Sequence, residues 1–374
     1  MPTGKLSSEH VERFLYWIQE RHTIHTIREL GYTKPWTADP VLLDWFFTNP
    51  YREHDKTTQW FKNNLREPLR DDPRVAFATV AFRWLNYIPT GELLCGLLAS
   101  SPPKNFKPDK VQPSPGKSKK FIKEMNDRLT TNPTPGASGR NYFTDWNRGE
   151  VNRMLRRLAA ADIKVFTGAY MIKLLNATPK VDAVCQMIDN VWRDRDVMVK
   201  YLEDCTTLEQ AWKFFGKYPY IAGFNAYEIV TDLRHTYLLE NATDINLWAN
   251  LGPGGSRGLY RVCGMEPVRK PWLENWQALM LDLLKLANKR FAKPIRIVGK
   301  SAGPDAVTRV FSSPPKNPKI TATIKFPTLE MREIEHSLCE YDKYERARDI
   351  AAGVVRTGSD DSGSKMKRRY TGRK

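Results

Sequence analysis

The chain is poor in cysteine, with five among 374 residues, at positions 95, 185, 205, 263 and 339. They are odd in number, far apart, and never spaced as CxxC, which argues against a disulfide scaffold or a zinc ribbon and for a reduced, intracellular protein. No run of about 18 apolar residues occurs, so no membrane span is expected. The opening MPTGKLSSEHVERF lacks the apolar core of a secretory signal. GxxxxGK[ST], GxGxxG and HExxH are all missing from the sequence. That argues against a Walker-type NTP site, a dinucleotide fold and a zincin. No cofactor and no metal are expected.

Positive charge is abundant instead. Lys and Arg number 59 against 42 Asp and Glu, a net +17, and 11% of residues are aromatic. The aromatic content excludes global disorder. The charge points to a polyanionic partner, nucleic acid before membrane. Residues 102–120 and 356–374 each carry a net +5, leaving +7 on the rest. Both are poor in apolar residues and read as a Lys/Pro-rich insertion and a disordered basic tail that track a phosphate backbone.

Periodicity predicts a mainly α protein. Val11, Phe14, Leu15, Ile18, Ile24 and Ile27 recur on one face over 8–30. Further helices are expected at 41–47, 51–65, 74–99 (broken at Pro89), 148–176, 181–204, 207–240, after 252, at 272–292 and at 328–350. Residues 131–147 read as loop. Only 294–326 (IRIV, AVTRVF, ITATIKF) carries β-branched alternation, so any β element belongs there. One helical catalytic domain over 1–355, open to division into two lobes, is followed by the tail.

Five segments concentrate chemistry. In NPYREHDKTTQW, Asn49-Pro50 reads as a cap with Pro at the first helical position. Arg52, Asp55 and Gln59 would then share a face, with Arg52 meeting a phosphate and Asp55 acting as a base or holding Arg52. In FRWLNY, Arg83 and Asn86 lie among aromatics. A buried Arg needs a partner, and a carboxylate and a substrate phosphate both remain open. Leu251-Gly252-Pro253-Gly254-Gly255-Ser256-Arg257 fits the hairpin of a helix-hairpin-helix, whose backbone N–H groups reach a phosphate. Glu228, Asp232 and His235 share a helix, with Asp232 an acid/base candidate. Residues 330–346 are amphipathic, with Met331, Ile334, Leu338 and Tyr341 inward. Glu335, His336, Asp342, Lys343 and Arg346 crowd this helix, and His336 with Cys339 lacks the second half of a metal site.

KPWTADP, FFTNPYREHDKTTQW, FRWLNYIPTGELL, FTGAYMI, GPGGSRGL and IEHSLCEYDKYER occur in this order. Together, over about residues 33–348, they resemble the α-glutamyl/putrescinyl-thymine pyrophosphorylases, or amino acid:DNA transferases. That helical module is related to the helical domain of 5-hydroxymethyl-deoxyuridine DNA kinases. IEHSLCEYDKYER is the most specific piece, and Lys56 in YREHDKTTQW departs from the Arg expected there. The resemblance implies a helical DNA-glycosylase-like fold and a role in phage thymine hypermodification, in the cytoplasm of an infected bacterium. A kinase would phosphorylate 5-hydroxymethyluracil in double-stranded DNA, and the transferase would displace the (pyro)phosphate with the amine of an amino acid or polyamine. Within the matched motifs, Asp55, Asp232, Glu335 and His336 are the acid/base candidates. Arg52, Arg83, Asn86, Gly252, Gly254, Gly255 and Arg257 are assigned to phosphate and DNA. Asp342, Lys343 and Arg346 are assigned to the amino acid. The alternatives are a non-catalytic DNA-binding partner of the kinase and a DNA glycosylase.

Overall fold

The computed structural model describes residues 1–31, 36–96, 120, 123–124, 140–167, 179–219, 221, 223–268, 272–298 and 321–354. The tail at 356–374 and the insertion at 102–119 lie outside them, as does most of the loop at 131–147. In chain order the helices are α1 (Ser8–Glu29), α2 (Pro40–Asp44), α3 (Lys56–Phe61), α4 (Arg74–Leu85) and α5 (Ile88–Leu94). Next come α6 (Arg148–Ala160), α7 (Lys180–Arg193), α8 (Arg195–Glu203), α9 (Leu208–Phe215) and α10 (Phe224–Leu233). The series closes with α11 (Pro253–Val262), α12 (Trp276–Phe291), strands β1 (Ile295–Val298) and β2 (Thr321–Ile324), and α13 (Met331–Ala351). The protein is therefore mainly α. Its β content is one antiparallel pair in which Ile295 faces Ile324, inside the stretch where the sequence placed it. Among the described residues no helix is long and apolar enough to cross a membrane.

Two compact units emerge, residues 1–55 with 246–374, and residues 56–245. In the first, α11 packs along α13, and α1 and α12 also lie against α13. Side-chain size explains the close approach. A Cβ on Gly258 would overlap the Leu338 backbone carbonyl, and one on Gly254 would overlap the Cys339 sulfur. The periodic apolar face of α1 is buried, with Phe14, Trp17, Ile18, Ile24 and Ile27 inward. Phe14 meets Tyr341 of α13 edge-on at 5.4 Å between ring centres. Ile27 also packs with Ala322 and Ile324, tying the hairpin to α1. Asp39 caps α2 by accepting from the N–H groups of Val41 (2.8 Å) and Leu42 (3.0 Å). A reciprocal pair, Glu330 with Glu333, opens α13.

In the second unit α4 is the hub. Every residue from Val75 to Leu85 is buried, as expected for a helix surrounded by others. Helices α10, α7 and α8 contact it, α9 leans on α10, and α6 packs on α7. Asp244 anchors the start of α9 through the N–H groups of Leu208 (2.7 Å) and Glu209 (3.1 Å).

Several expected boundaries shift for identifiable reasons. The helix expected at 51–65 is a 3-10 turn (Arg52–His54), a break at Asp55, α3, and a π turn (Lys62–Arg66). The break in 74–99 falls at Asn86, which adopts a left-handed conformation (φ 43°), while Pro89 sits harmlessly in the first turn of α5. Helix α6 ends at Ala160, well short of residue 176. The expected helix-hairpin-helix is not formed at Gly252. Helix α10 ends at Leu233, and turns fill most of the stretch before Leu251.

Candidate functional site

In the first unit, four of the expected residues converge on the start of α11 and one face of α13. The N-cap of α11 is Gly252, followed by Pro253, and the side chain of Glu335 reaches it from α13. Its Oε1 accepts from the Gly252 N–H at 3.5 Å and lies 3.2 Å from where a Cβ on Gly255 would be. Burial pushes the Glu335 carboxyl up to about 7, against the opposing pull of the Gly252 N–H, Arg52 and Arg332. Glu335 as a whole residue is half-buried. A carboxyl half-ionised near neutrality can take or give a proton.

One residue on, His336 Nε2 shares a 2.8 Å hydrogen bond with the Thr48 hydroxyl. Burial first, then the positive charge of Arg52, lowers its pKa to about 4, so the imidazole is neutral at pH 7. The backbone N–H of Thr48 donates to Glu340 at 2.9 Å, and Glu340 holds the Lys343 ammonium at 2.9 Å. Thr48 thereby fixes two successive turns of α13.

Asp55 does not stand free as a base. Its Oδ1 accepts from the backbone N–H (3.2 Å) and the side-chain amide (3.0 Å) of Asn49, and its Oδ2 accepts from Arg52 at 3.3 Å. The shared helical face expected for Arg52, Asp55 and Gln59 is absent because the chain leaves helical geometry at Asp55 (ψ 134°). Of the two roles the sequence left open, holding Arg52 is the one this geometry serves.

The glycines of GPGGSRGL serve packing. Gly254, Gly255 and Gly258 each face α13 or Leu251 where a side chain would collide, and the Gly252 N–H is taken by Glu335 rather than by an open phosphate cradle. Arg257 is likewise turned inward. Its Nε donates to Asp342 Oδ2 at 2.9 Å, Arg261 Nε donates to Oδ1 at 2.8 Å, and Arg346 lies 3.3 Å from Oδ2. Asp342 is fully buried at the centre of these three guanidinium groups. Asp342 therefore braces α13 against α11 through Arg257 and Arg261, and Arg346 pairs with it within α13. Lys343, on the next position, is the one of the three near Glu340 and the Phe47 ring.

Beside Arg52 lies a feature the sequence reading missed. His54 stacks on His25 (4.4 Å, 15°) and on His22 (5.5 Å, 20°), closed by Tyr51 and Phe326. Burial, and then repulsion by His54, lowers His25 to about 3; burial lowers His22 to about 4. Neutral rings stack without charge repulsion. The spacing of the three histidines from His22 to His54 carried no periodic signal that would have revealed it. Among the described residues no group of three His, Cys, Asp or Glu is placed to hold a metal ion.

In the second unit, the partner of Arg83 is Asp232. Two guanidinium nitrogens meet both carboxylate oxygens, Nη2 to Oδ1 at 2.8 Å and Nε to Oδ2. Nη2 also donates to Thr58 Oγ1 at 3.1 Å and Nη1 to Asn86 Oδ1 at 3.3 Å, and Arg83 lies over the Phe61 ring. Both charged side chains are almost wholly buried. Of the two partners open for Arg83, the carboxylate is the one found. Asp232 is its counter-ion, and Asn86 is the C-cap of α4.

The model of the 5-hmdU DNA kinase helical domain matches residues 8–115 and 136–352. The chain belongs to this family. The 5-hmdU DNA kinase of Bacillus phage SP10 is 26% identical over 272 residues, a match covering 66% of this chain and 36% of the kinase. The chain thus spans about a third of that relative's length. No solved structure matches it.

Proposed function

We propose that the chain acts in hydroxymethyluracil modification of phage DNA, as a transferase that replaces the (pyro)phosphate of phosphorylated 5-hydroxymethyluracil with the amine of an amino acid. Membership of the kinase helical-domain family and the kinase of a phage as a relative support the setting. The observation that carries the chemistry is Glu335, a buried carboxyl raised to about 7 within the field of Arg52.

The target base leaves the helical stack, at a cost of a few kcal/mol. The amine nitrogen forms a bond to the exocyclic methylene carbon. The carbon–oxygen bond to the phosphate breaks, and its electron pair leaves with the phosphate. The proton shed by the attacking nitrogen passes to the Glu335 carboxylate. Arg52, oriented by Asp55, meets the negative charge that develops on the leaving group. His336 stays neutral and keeps its bond to Thr48, and Lys343 supplies positive charge on the same helix for an amino acid's carboxylate.

The test is incubation of the full chain with duplex DNA carrying 5-phosphomethyl-deoxyuridine, or its pyrophosphate, and a panel of amino acids and putrescine. Nucleoside mass spectrometry reads the result. A mass gain of one amine with loss of phosphate supports transfer and names the amine. Free base or abasic sites would make the protein a glycosylase. Unchanged nucleosides with tight DNA binding would leave it as a binding partner of the kinase.

A further inference from the structure

Helix α6 is sharply two-faced. Val151, Met154, Leu155 and Leu158 are buried on one side. At 100° per residue, Arg153, Arg156 and Arg157 fall on the opposite half of the helix, with Arg148 beside the apolar stripe in the first turn. They border a cavity of about 510 Å³, together with Asn152. Arg148 and Arg156 are 77% and 55% exposed, and Arg153 is exposed as well. Arg148 and Arg156 have carboxylate neighbours, Asp189 at 2.9 Å and Asp182 at 2.6 Å. The solvated Arg156–Asp182 pair is worth about 0–1 kcal/mol and exchanges readily for another anion, whereas the Asp189 side chain is largely buried. Asp189 is also shared, since it accepts from Trp146 Nε1 (3.0 Å) and Asn152 Nδ2 (2.8 Å).

We propose that this arginine face of α6 is a docking surface for the phosphate backbone of DNA. The row from Arg148 to Arg157 extends about 14 Å at 1.5 Å per residue. One small anion cannot meet guanidinium groups spread over that length, whereas a strand carries a charge about every 3.4 Å along the axis. Arginine is suited to it, because its planar fork grips phosphate in pairs of hydrogen bonds. Asn152, a buried residue lining the same cavity, is fixed through its Nδ2 on Asp189.

The proposal rests on the DNA part of the function above and not on the transfer chemistry, so unmodified DNA and no amine suffice to test it. Binding of a fluorescein-labelled duplex to the full chain is followed by anisotropy over roughly 50–200 mM salt. Replacing Arg153, Arg156 and Arg157 together by Ala should weaken binding at least about tenfold and lower the slope of log Kd against log salt by about 0.9 per lost phosphate contact. The same three positions as Lys should keep most of the slope. Lys285→Ala, at an exposed position of α12, should leave it unchanged. An unaltered slope in the folded Ala triple variant would overturn the proposal. So would an equal fall with Lys285→Ala, or binding of tripolyphosphate without binding of duplex. Loss of transfer with this binding intact would fault the chemistry alone.

Discussion

The Glu335 carboxylate is held at the N-terminus of α11, its Oε1 3.5 Å from the Gly252 nitrogen. A helix N-terminus favours the ionised form by about 0.3–1 kcal/mol. Here burial outweighs it, and the carboxyl titrates near 7. The position that the sequence assigned to a substrate phosphate is filled by the protein's own acid.

If Glu335 takes the proton from the amine, its ionised form is the active one. Transfer should then rise with pH through about 7 and level off above it. Glu335→Gln should lower the rate by about 100-fold or more and abolish that limb, within the range of general base catalysis. Rates at pH 6, 7 and 8 on the phosphorylated DNA check this. A surviving limb of the same midpoint would assign the proton to another group.

The same residue predicts a stability effect of definite sign. Its folded pKa lies above the usual carboxyl value of 4.5, so the folded state binds the extra proton between 4.5 and 7. Its contribution is full below 4.5 and is lost as pH rises through 7. Glu335→Gln should therefore gain stability relative to the parent on going from pH 4.5 to pH 8, by about 1–3 kcal/mol. Denaturant unfolding at both pH values measures it. Glu333, also raised to about 7 by burial, is common to both proteins and cancels. His22, His25 and His336 work in the other direction. Their lowered values favour folding fully above about 6.5, and that support fades as pH falls toward 4.

Arg83 and Asp232 should behave as a structural pair. Arg83→Ala leaves a buried carboxylate alone, which costs about 3–5 kcal/mol. Arg83→Met with Asp232→Leu removes both charges and should recover most of that loss. Thermal unfolding of the two single variants and the double variant gives the coupling. A well-folded Arg83→Ala with normal stability and no transfer would instead restore Arg83 as a substrate contact.

The helices were legible where one face alone is apolar, as in 8–30 and 330–346, because the 3.6-residue period is then written into the side chains. The β-branched stretch at 294–326 likewise marked where the strand pair lies. The partners of buried charge were not legible. Arg83 and Asp232 are 149 positions apart, and Arg257 and Asp342 are 85 apart, so no local spacing joins them. The break at Asp55 was hidden for a related reason. It is held by the side chain of Asn49, which the local pattern presents as a helix cap. Glycines gave the most ambiguous signal, since close approach to a phosphate and close approach to a neighbouring helix demand the same missing Cβ.

That ambiguity can be resolved by substitution. At Gly258 an added Cβ would meet the Leu338 backbone, with the carbonyl carbon 2.7 Å away, and backbone cannot swing aside. Gly258→Ala should destabilise the first unit by about 1–3 kcal/mol through overpacking. Gly149, in the first turn of α6, has only the Asn147 side chain at 3.7 Å. There the smaller conformational freedom of alanine in the unfolded chain should win, so Gly149→Ala should be neutral or stabilising by about 0.4–1 kcal/mol. Unfolding midpoints of the two variants decide it. If Gly258→Ala kept full stability while losing affinity for phosphorylated DNA, the glycine turn would be a phosphate site after all, and the close packing of α11 on α13 would not be what requires the glycine.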